Sequence, residues 1–259
     1  MCGTCACGTP EATTPEATTP AATTPAAPPA RRLQLEQHLL AHNDALAAAN
    51  RDRFDRAGVQ ALNLLSSPGS GKTALLERLA AEQPSAGAMA VLVGDLATDL
   101  DATRLRAAGL PAVALTTGHT CHLDAAMVAR GLDALEAGGT RLTELAWLLI
   151  ENVGNLVCPA AYRLGEHRRL VLLSVTEGED KPLKYPAMFR SADLVVITKL
   201  DLAEAVGFDR AAARRAIAAV APQAAVLAVS ARSGAGIGDL VSHCRAMARP
   251  AVESGADRR

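Results

Sequence analysis

Seven short apolar runs punctuate the chain: Gln60 to Leu65, Met89 to Val93, Ala112 to Leu115, Ala146 to Ile150, Leu170 to Val175, Leu194 to Ile197 and Ala225 to Val229. Runs this short that stay apolar without alternating mark strands buried on both faces. Helix-length segments separate most of them, so the rhythm predicts an α/β fold: a mainly parallel sheet with helices on both faces. Arg31 to Arg56 reads as a leading helix, with Leu35, Leu39, His42 and Leu46 spaced for one face. Ala74 to Ala81 and Leu123 to Leu135 read as helices too, and His243 and Cys244 fall in a C-terminal amphipathic one. The stretch from Thr9 to Pro29 has no such pattern. It runs Pro-Glu-Ala-Thr-Thr twice and then Pro-Ala-Ala-Thr-Thr, which offers no large apolar groups for a core and is biased toward extended backbone by its prolines. Three parts follow: a cysteine-bearing head at 1–8, a disordered Thr/Pro/Ala linker at 9–30, and a folded domain at 31–259.

Composition narrows the class. The 259 residues are 49% hydrophobic, enough for one full core, while aromatics make up only 2%, which suits Ala-rich helices over a branched-residue sheet better than a β-sandwich. With 26 Lys and Arg against 27 Asp and Glu, the formal net charge is -1. No long-range field then draws the chain to nucleic acid or to an anionic membrane, and neither is expected as a partner. No basic and apolar leader precedes the cysteines and no run approaches a membrane span, so a cytoplasmic location is expected. In that compartment Cys-x-x-Cys points to metal or redox chemistry before a structural disulfide.

Ser66-Ser67-Pro68-Gly69-Ser70-Gly71-Lys72-Thr73 falls between the first strand and a helix. Glycines there permit a tight turn with backbone N–H groups pointing inward, and the helix N-terminus favours negative charge. Gly69, Ser70 and Gly71 would wrap phosphates, Lys72 would reach the β- and γ-phosphates, and Thr73 would ligate Mg²⁺. This is a P-loop NTPase signature, with Ser66 where the loop ordinarily opens on Gly. Base choice is read from Thr198-Lys199-Leu200-Asp201 after the sixth strand. The Asp201 carboxylate can accept from N1–H and the exocyclic amine of guanine, whereas adenine offers an unprotonated N1, so GTP and GDP are the expected nucleotides. Lys199 could lay its stem over the base, and Ser230 and Ala231 have the form of the loop whose N–H meets guanine O6. Thr198 stands where the usual motif begins with Asn. Catalysis of phosphoryl transfer is largely positioning and electrostatics; Lys72, Asp95 and Glu151 are the candidates for a GTPase. Asp95 could hold Mg²⁺ through water, with Asp99 as an alternative, and Glu151 opens a Glu-Asn-Val-Gly segment resembling a metal-and-γ-phosphate-sensing loop. No residue stands out as a general base.

Metal-ligand chemistry occurs twice. Cys2, Cys5 and Cys7 form a soft-ligand head ahead of the linker, suited to a thiophilic ion. Cys121 and His122 lie at a loop-helix junction, where a helix N-terminus would favour the thiolate. Zinc and nickel both want at least four ligands, so either Cys158 and His119 join this pair or a second subunit supplies the rest.

Four blocks in order resemble the HypB family of nickel-handling P-loop GTPases: Leu62 to Thr73, Cys121 to Ala125, Glu151 to Pro159, and Val175 to Pro186. The likeness also covers the N-terminal Cys-x-x-Cys-x-Cys-Gly. It implies a GTP-hydrolysing metallochaperone for nickel-iron hydrogenase, with urease sometimes also served. Cys2, Cys5 and Cys7 then match the family's high-affinity nickel site. Cys121 and His122 match its weaker nickel or zinc site, at a homodimer interface formed on GTP binding, which can include the position of Cys158. The implied partners are a small zinc protein, HypA, and the hydrogenase large subunit. Two features depart from the family: the linker lacks a His-rich nickel store, and Gly118-His119-Thr120 replaces Gly-Lys-Gly, exchanging a cation for a potential ligand. A urease-directed GTPase and a non-enzymatic nickel or zinc buffer are the alternatives.

Overall fold

Each apolar run forms a strand, because a buried segment without a helical stripe satisfies its backbone most completely in a sheet interior. They are β1 (Gln60–Ser66), β2 (Ala88–Asp95), β3 (Ala112–Thr116), β4 (Leu145–Glu151), β5 (Arg168–Ser174), β6 (Leu194–Thr198) and β7 (Ala225–Ala228). The computed structural model describes residues 29–82 and 88–247. The head with Cys2, Cys5 and Cys7, and the linker as far as residue 28, lie outside the described residues. Helices are α1 (Pro29–Ala57), α2 (Lys72–Glu82), α3 (Leu100–Ala107), α4 (Ala125–Ala137), α5 (Lys181–Lys184), α6 (Pro186–Arg190), α7 (Arg210–Val220) and α8 (Ile237–Met247).

The strands form one sheet in the order β3-β2-β4-β1-β5-β6-β7, every pairing parallel. Side chains along β1 and β5 point to opposite faces in turn. Leu62, Leu64, Leu170 and Leu172 pack with α2, α3 and α8 on one side. Ala61 meets Phe54 of α1 and Leu132 of α4 on the other, while Leu65, Val171 and Leu173 meet Phe189 of α6 and Ile217 of α7. Chain order reverses direction around β1, which leaves β4 and β5 on its two sides. In open α/β sheets that switch point, at the carboxyl ends of the strands, is where ligands bind.

The leading helix differs from its predicted face. Leu39 is 54% exposed and His42 is exposed, while Asn43, Ala47, Asn50 and Phe54 are buried. Polar side chains share that face with Ala47 and Phe54 because the structure beneath α1 includes backbone groups needing partners. Asn43 Nδ2 donates to the Arg163 carbonyl at 2.8 Å, and its Oδ1 accepts from Ala125 N at 2.9 Å. Asn50 Nδ2 donates to the carbonyls of Ala125 and Leu164 at 2.8 and 3.0 Å. Among the described residues, no helix is long and apolar enough to cross a membrane.

Candidate functional site

The loop after β1 turns on Gly69 and Gly71, both at positive φ (71° and 95°), and delivers Lys72 as the first residue of α2. A side chain at either glycine would be strained. Ser66, in place of the usual Gly, gives the lysine a partner. Lys72 Nζ donates to its hydroxyl at 2.9 Å, and that hydroxyl donates to Ser67 O. Lys72 is buried, and burial pulls its pKa down. Such an ammonium is a strong attractor for phosphate.

Glu151 reaches the same loop because β4 pairs with β1, Leu64 opposite Glu151. Thr73 Oγ1 donates to Glu151 Oε1 at 2.8 Å, while Glu151 Oε2 is buried without a partner. Burial pushes the Glu151 carboxyl up to about 7, against the opposing pull of Lys72. A buried carboxylate oxygen with open lone pairs beside a Thr hydroxyl is a donor set that fits a hard divalent cation such as Mg²⁺. Asp95 ends β2, where its Oδ1 accepts from the N–H groups of Ala97 and Thr98 at 2.9 and 3.0 Å; those bonds, Ala97's first, hold its carboxyl below the usual range. Asp99 is exposed and lies 3.4 Å from Arg106 in an ion pair. Asp101 and Arg104 also act on Glu151 through space, the first raising and the second lowering its pKa.

The Thr198 to Asp201 segment closes the other side of the loop. Thr198 Oγ1 donates to Ser70 O at 2.7 Å and Lys199 Nζ donates to Gly69 O at 2.7 Å. Lys199 adopts a left-handed φ of 57°, the one non-glycine to do so among the described residues. Ser230 Oγ donates to Asp201 Oδ1 at 2.6 Å, so one oxygen of that carboxylate is braced and the other is left for a ligand. Ser70, Lys199, Asp201 and Ala231 line one cleft of about 240 Å³.

The second cluster is assembled from two loops. Ligand atoms of Cys121, His122 and Cys158 lie within 4.8 Å of one another, close enough to surround one ion at the ordinary 2.0–2.3 Å bond lengths. His122 Nδ1 is buried without a hydrogen-bond partner, and burial lowers the pKa of the ring. Cys158 is raised, first by its hydrogen bond with Cys121. Two neighbouring thiols and a neutral imidazole with an unpaired nitrogen fit a borderline transition-metal ion. His119 is exposed and outside the cluster. The helix start expected at Leu123 lies two residues on, at Ala125, because Asp124 is the N-cap and accepts from Met127 N at 2.7 Å; Cys121 does not occupy that helix end. Cys244 and His243 lie on α8, with Cys244 packed against the core.

Sequence reasoning left out the residues that join the two clusters. Asn152 Oδ1 accepts from Leu123 N at 3.1 Å, and Asn155 Nδ2 donates to Cys121 O at 3.2 Å. The signal that could have found them was their position inside the Glu151 to Cys158 block. A Cβ on Gly154 would lie 2.7 Å from Pro68 Cα, so this block also rests on the phosphate loop. Behind it Arg169 donates to Glu166 Oε1 at 2.6 Å and to the carbonyls of Ala160 and Tyr162. The Tyr162 ring lies against His122, centroids 4.0 Å apart.

A phosphate-type loop at the switch point of a parallel sheet, with a thiol-imidazole cluster one loop away, defines a P-loop nucleotide-binding protein of the metal-handling kind. The model of the CobW/HypB/UreG nucleotide-binding domain matches residues 60–228. Hydrogenase maturation factor HypB of Azotobacter chroococcum mcd 1 is 51% identical over 216 residues, 81% of this chain and 67% of the relative. The crystal structure of HypB from Helicobacter pylori in complex with nickel superimposes with a TM-score of 0.77 at 40% identity, covering 84% of this chain and all of that one. HypB from Archaeoglobus fulgidus gives 0.73 at 37%, covering 81% of this chain and all of that one. The chain belongs to the CobW/HypB/UreG family, among the HypB-type nickel-handling GTPases.

Proposed function

We propose that the protein is a GTP-hydrolysing nickel metallochaperone for the maturation of nickel-iron hydrogenase. The observation that carries the reading is the continuity of Glu151 to Cys158. One end meets Thr73 at the phosphate loop, the middle meets Cys121 and Leu123 through Asn155 and Asn152, and the far end supplies a thiol to the metal cluster. A change at the nucleotide therefore has a short mechanical route to the cargo.

In this mechanism the N–H groups of 69–73 and Lys72 cradle the phosphates, while Asp201, braced by Ser230, selects guanine. Thr73 and Glu151 would hold Mg²⁺, with Asp95 contributing through water; the ion would supply charge neutralisation at the phosphates. Nickel, the cargo, sits on Cys121, His122 and Cys158, and zinc competes for the same donors. A homodimer formed on GTP binding brings further ligands, since three fall short of a closed shell. Cys2, Cys5 and Cys7 capture nickel on a tether, a HypA-like zinc protein exchanges it, and the hydrogenase large subunit receives it. The likeness to hydrogenase maturation factors supports this recipient.

Competition titration of nickel with GTP analogue, GDP or no nucleotide tests the coupling. At least a tenfold difference in affinity between states is expected, and equal affinities would overturn it. Cells lacking their own copy should regain hydrogenase with the wild type and not with Lys72→Ala. Rescue by Lys72→Ala would point to a buffer, and rescue of urease alone to the urease-directed alternative.

A further inference from the structure

Two of the chain's six histidines, His38 and His42, stand four residues apart in α1. One helical turn puts such a pair on one face with Cβ atoms about 5–6 Å apart. From there two imidazoles reach a single ion at about 2.1 Å each. Both side chains are exposed. Among the described residues neither ring is held by a hydrogen bond or an ion pair. The helix is anchored by the other face, through Asn43, Asn50 and Phe54, so loading the histidines disturbs no packing. From Gln34 to Leu46 there is no Lys or Arg, and the only charged residues are Glu36 and Asp44, so this stretch of the helix itself adds no positive charge beside the pair. Asn43, next in the chain to His42, accepts from the N–H of Ala125, three residues beyond His122. The pair thus rides on the helix that docks beside the Cys121–His122–Cys158 cluster.

We propose that His38 and His42 form a further metal site, a surface chelate for a borderline divalent cation, completed by water. Two neutral imidazoles select Ni²⁺, Cu²⁺ or Zn²⁺ and give little to Mg²⁺ or Ca²⁺. With two protein donors the site is weaker than the three-donor cluster. The preceding reading supplies nickel as the probe; the site itself stands on helix geometry.

Nickel(II) alone is titrated into the full chain, and hydrogen exchange by mass spectrometry follows residues 34–46 and 119–125 in one run. Protection over 34–46 is expected to rise at nickel concentrations above those that alter 119–125. In His38→Gln or His42→Gln, both at exposed positions, the response of 34–46 should move at least tenfold higher in nickel while that of 119–125 stays put. An unchanged response of 34–46 in both variants overturns the site, as does an equal response to magnesium, which would report charge and not imidazole. A silent 119–125 with an intact response at 34–46 would refute the metal reading of the cluster and leave the histidine site standing.

Discussion

Thr198 shows how a single departure from a motif can keep its mechanical purpose. Its hydroxyl ties the base motif to the phosphate loop through Ser70 O, and Lys199 adds a second tie through Gly69 O. Ser66 likewise gives Lys72 a resting partner where Gly could give none. Asp201 is then the residue with a free acceptor, because Ser230 takes only Oδ1. Asp201→Asn replaces that acceptor with an amide, which can accept from N1–H and donate to O2 of xanthine but meets the guanine amine with a donor. The expected outcome is a loss of GTP affinity of about 100-fold or more, with XTP gaining, as charged and unpaired groups cost about 2–4 kcal/mol in a binding site. Competition binding with both nucleotides reads it directly; retained GTP preference would remove Asp201 from base selection. The places of these residues at strand ends were legible because nucleotide loops are short, contiguous and strand-anchored. Asn152 and Asn155 were not, since their partners lie 29 and 34 positions away.

At the scale of elements, all seven strands were legible as apolar runs, while the buried face of α1 was not. A periodicity count rewards Leu at helical spacing, but α1 covers carbonyls of Ala125 and of residues 163–166, and the side-chain N–H groups of Asn43, Asn50 and Arg51 satisfy those. Asn50→Leu should therefore destabilise the chain by about 2–4 kcal/mol, leaving the Ala125 and Leu164 carbonyls without their donor, whereas Leu39→Ala should change stability by no more than about 0.5 kcal/mol. Chemical denaturation of both variants decides it, and equal effects would return the helix to its leucine face. On α8 the partly buried Cys244 thiol is pushed by desolvation up to about 11, from an ordinary value of 9.0. A thiol with a raised folded-state pKa contributes stability that is fully present below the unfolded value and lost as pH climbs through the folded one. Between pH 9 and 11 the wild type should thus lose up to about 1.4 kcal/mol per pH unit that Cys244→Ala does not lose, seen as a crossing of their denaturation curves. Parallel loss in both would place the alkaline sensitivity elsewhere.

Across the whole molecule, the parallel α/β class could be read from the chain, but the order β3-β2-β4-β1-β5-β6-β7 could not, because it depends on which strands pair over long loops. That order puts Glu151 beside the phosphate loop and brings Arg169, at the start of β5, behind the Cys121–His122–Cys158 cluster. Arg169 and Glu166 form a buried ion pair at 2.6 Å. Charges at the mouth of an apolar strand read from sequence as solvent-facing, yet all three guanidinium nitrogens donate: besides Glu166 they hold the carbonyls of Ala160 and Tyr162, just beyond Cys158 and under the ring that packs on His122. Removing one partner of a buried pair leaves the other charge uncompensated, which costs about 3–5 kcal/mol. Arg169→Met should lower the melting temperature accordingly, while Arg168→Met, which breaks a half-exposed pair to Asp193 at 3.8 Å, should stay within about 1 kcal/mol of wild type. The combination Arg169→Met with Glu166→Gln separates stability from coupling. Neutralising Glu166 should recover much of the stability, but Ala160 and Tyr162 would still lack their donor, so nickel affinity at the cluster should remain about tenfold low and its response to GTP analogue should shrink. If the double variant bound nickel and responded to nucleotide like the wild type, Arg169 would be a brace for the sheet alone, and the route from nucleotide to cargo would run solely through Asn152 and Asn155.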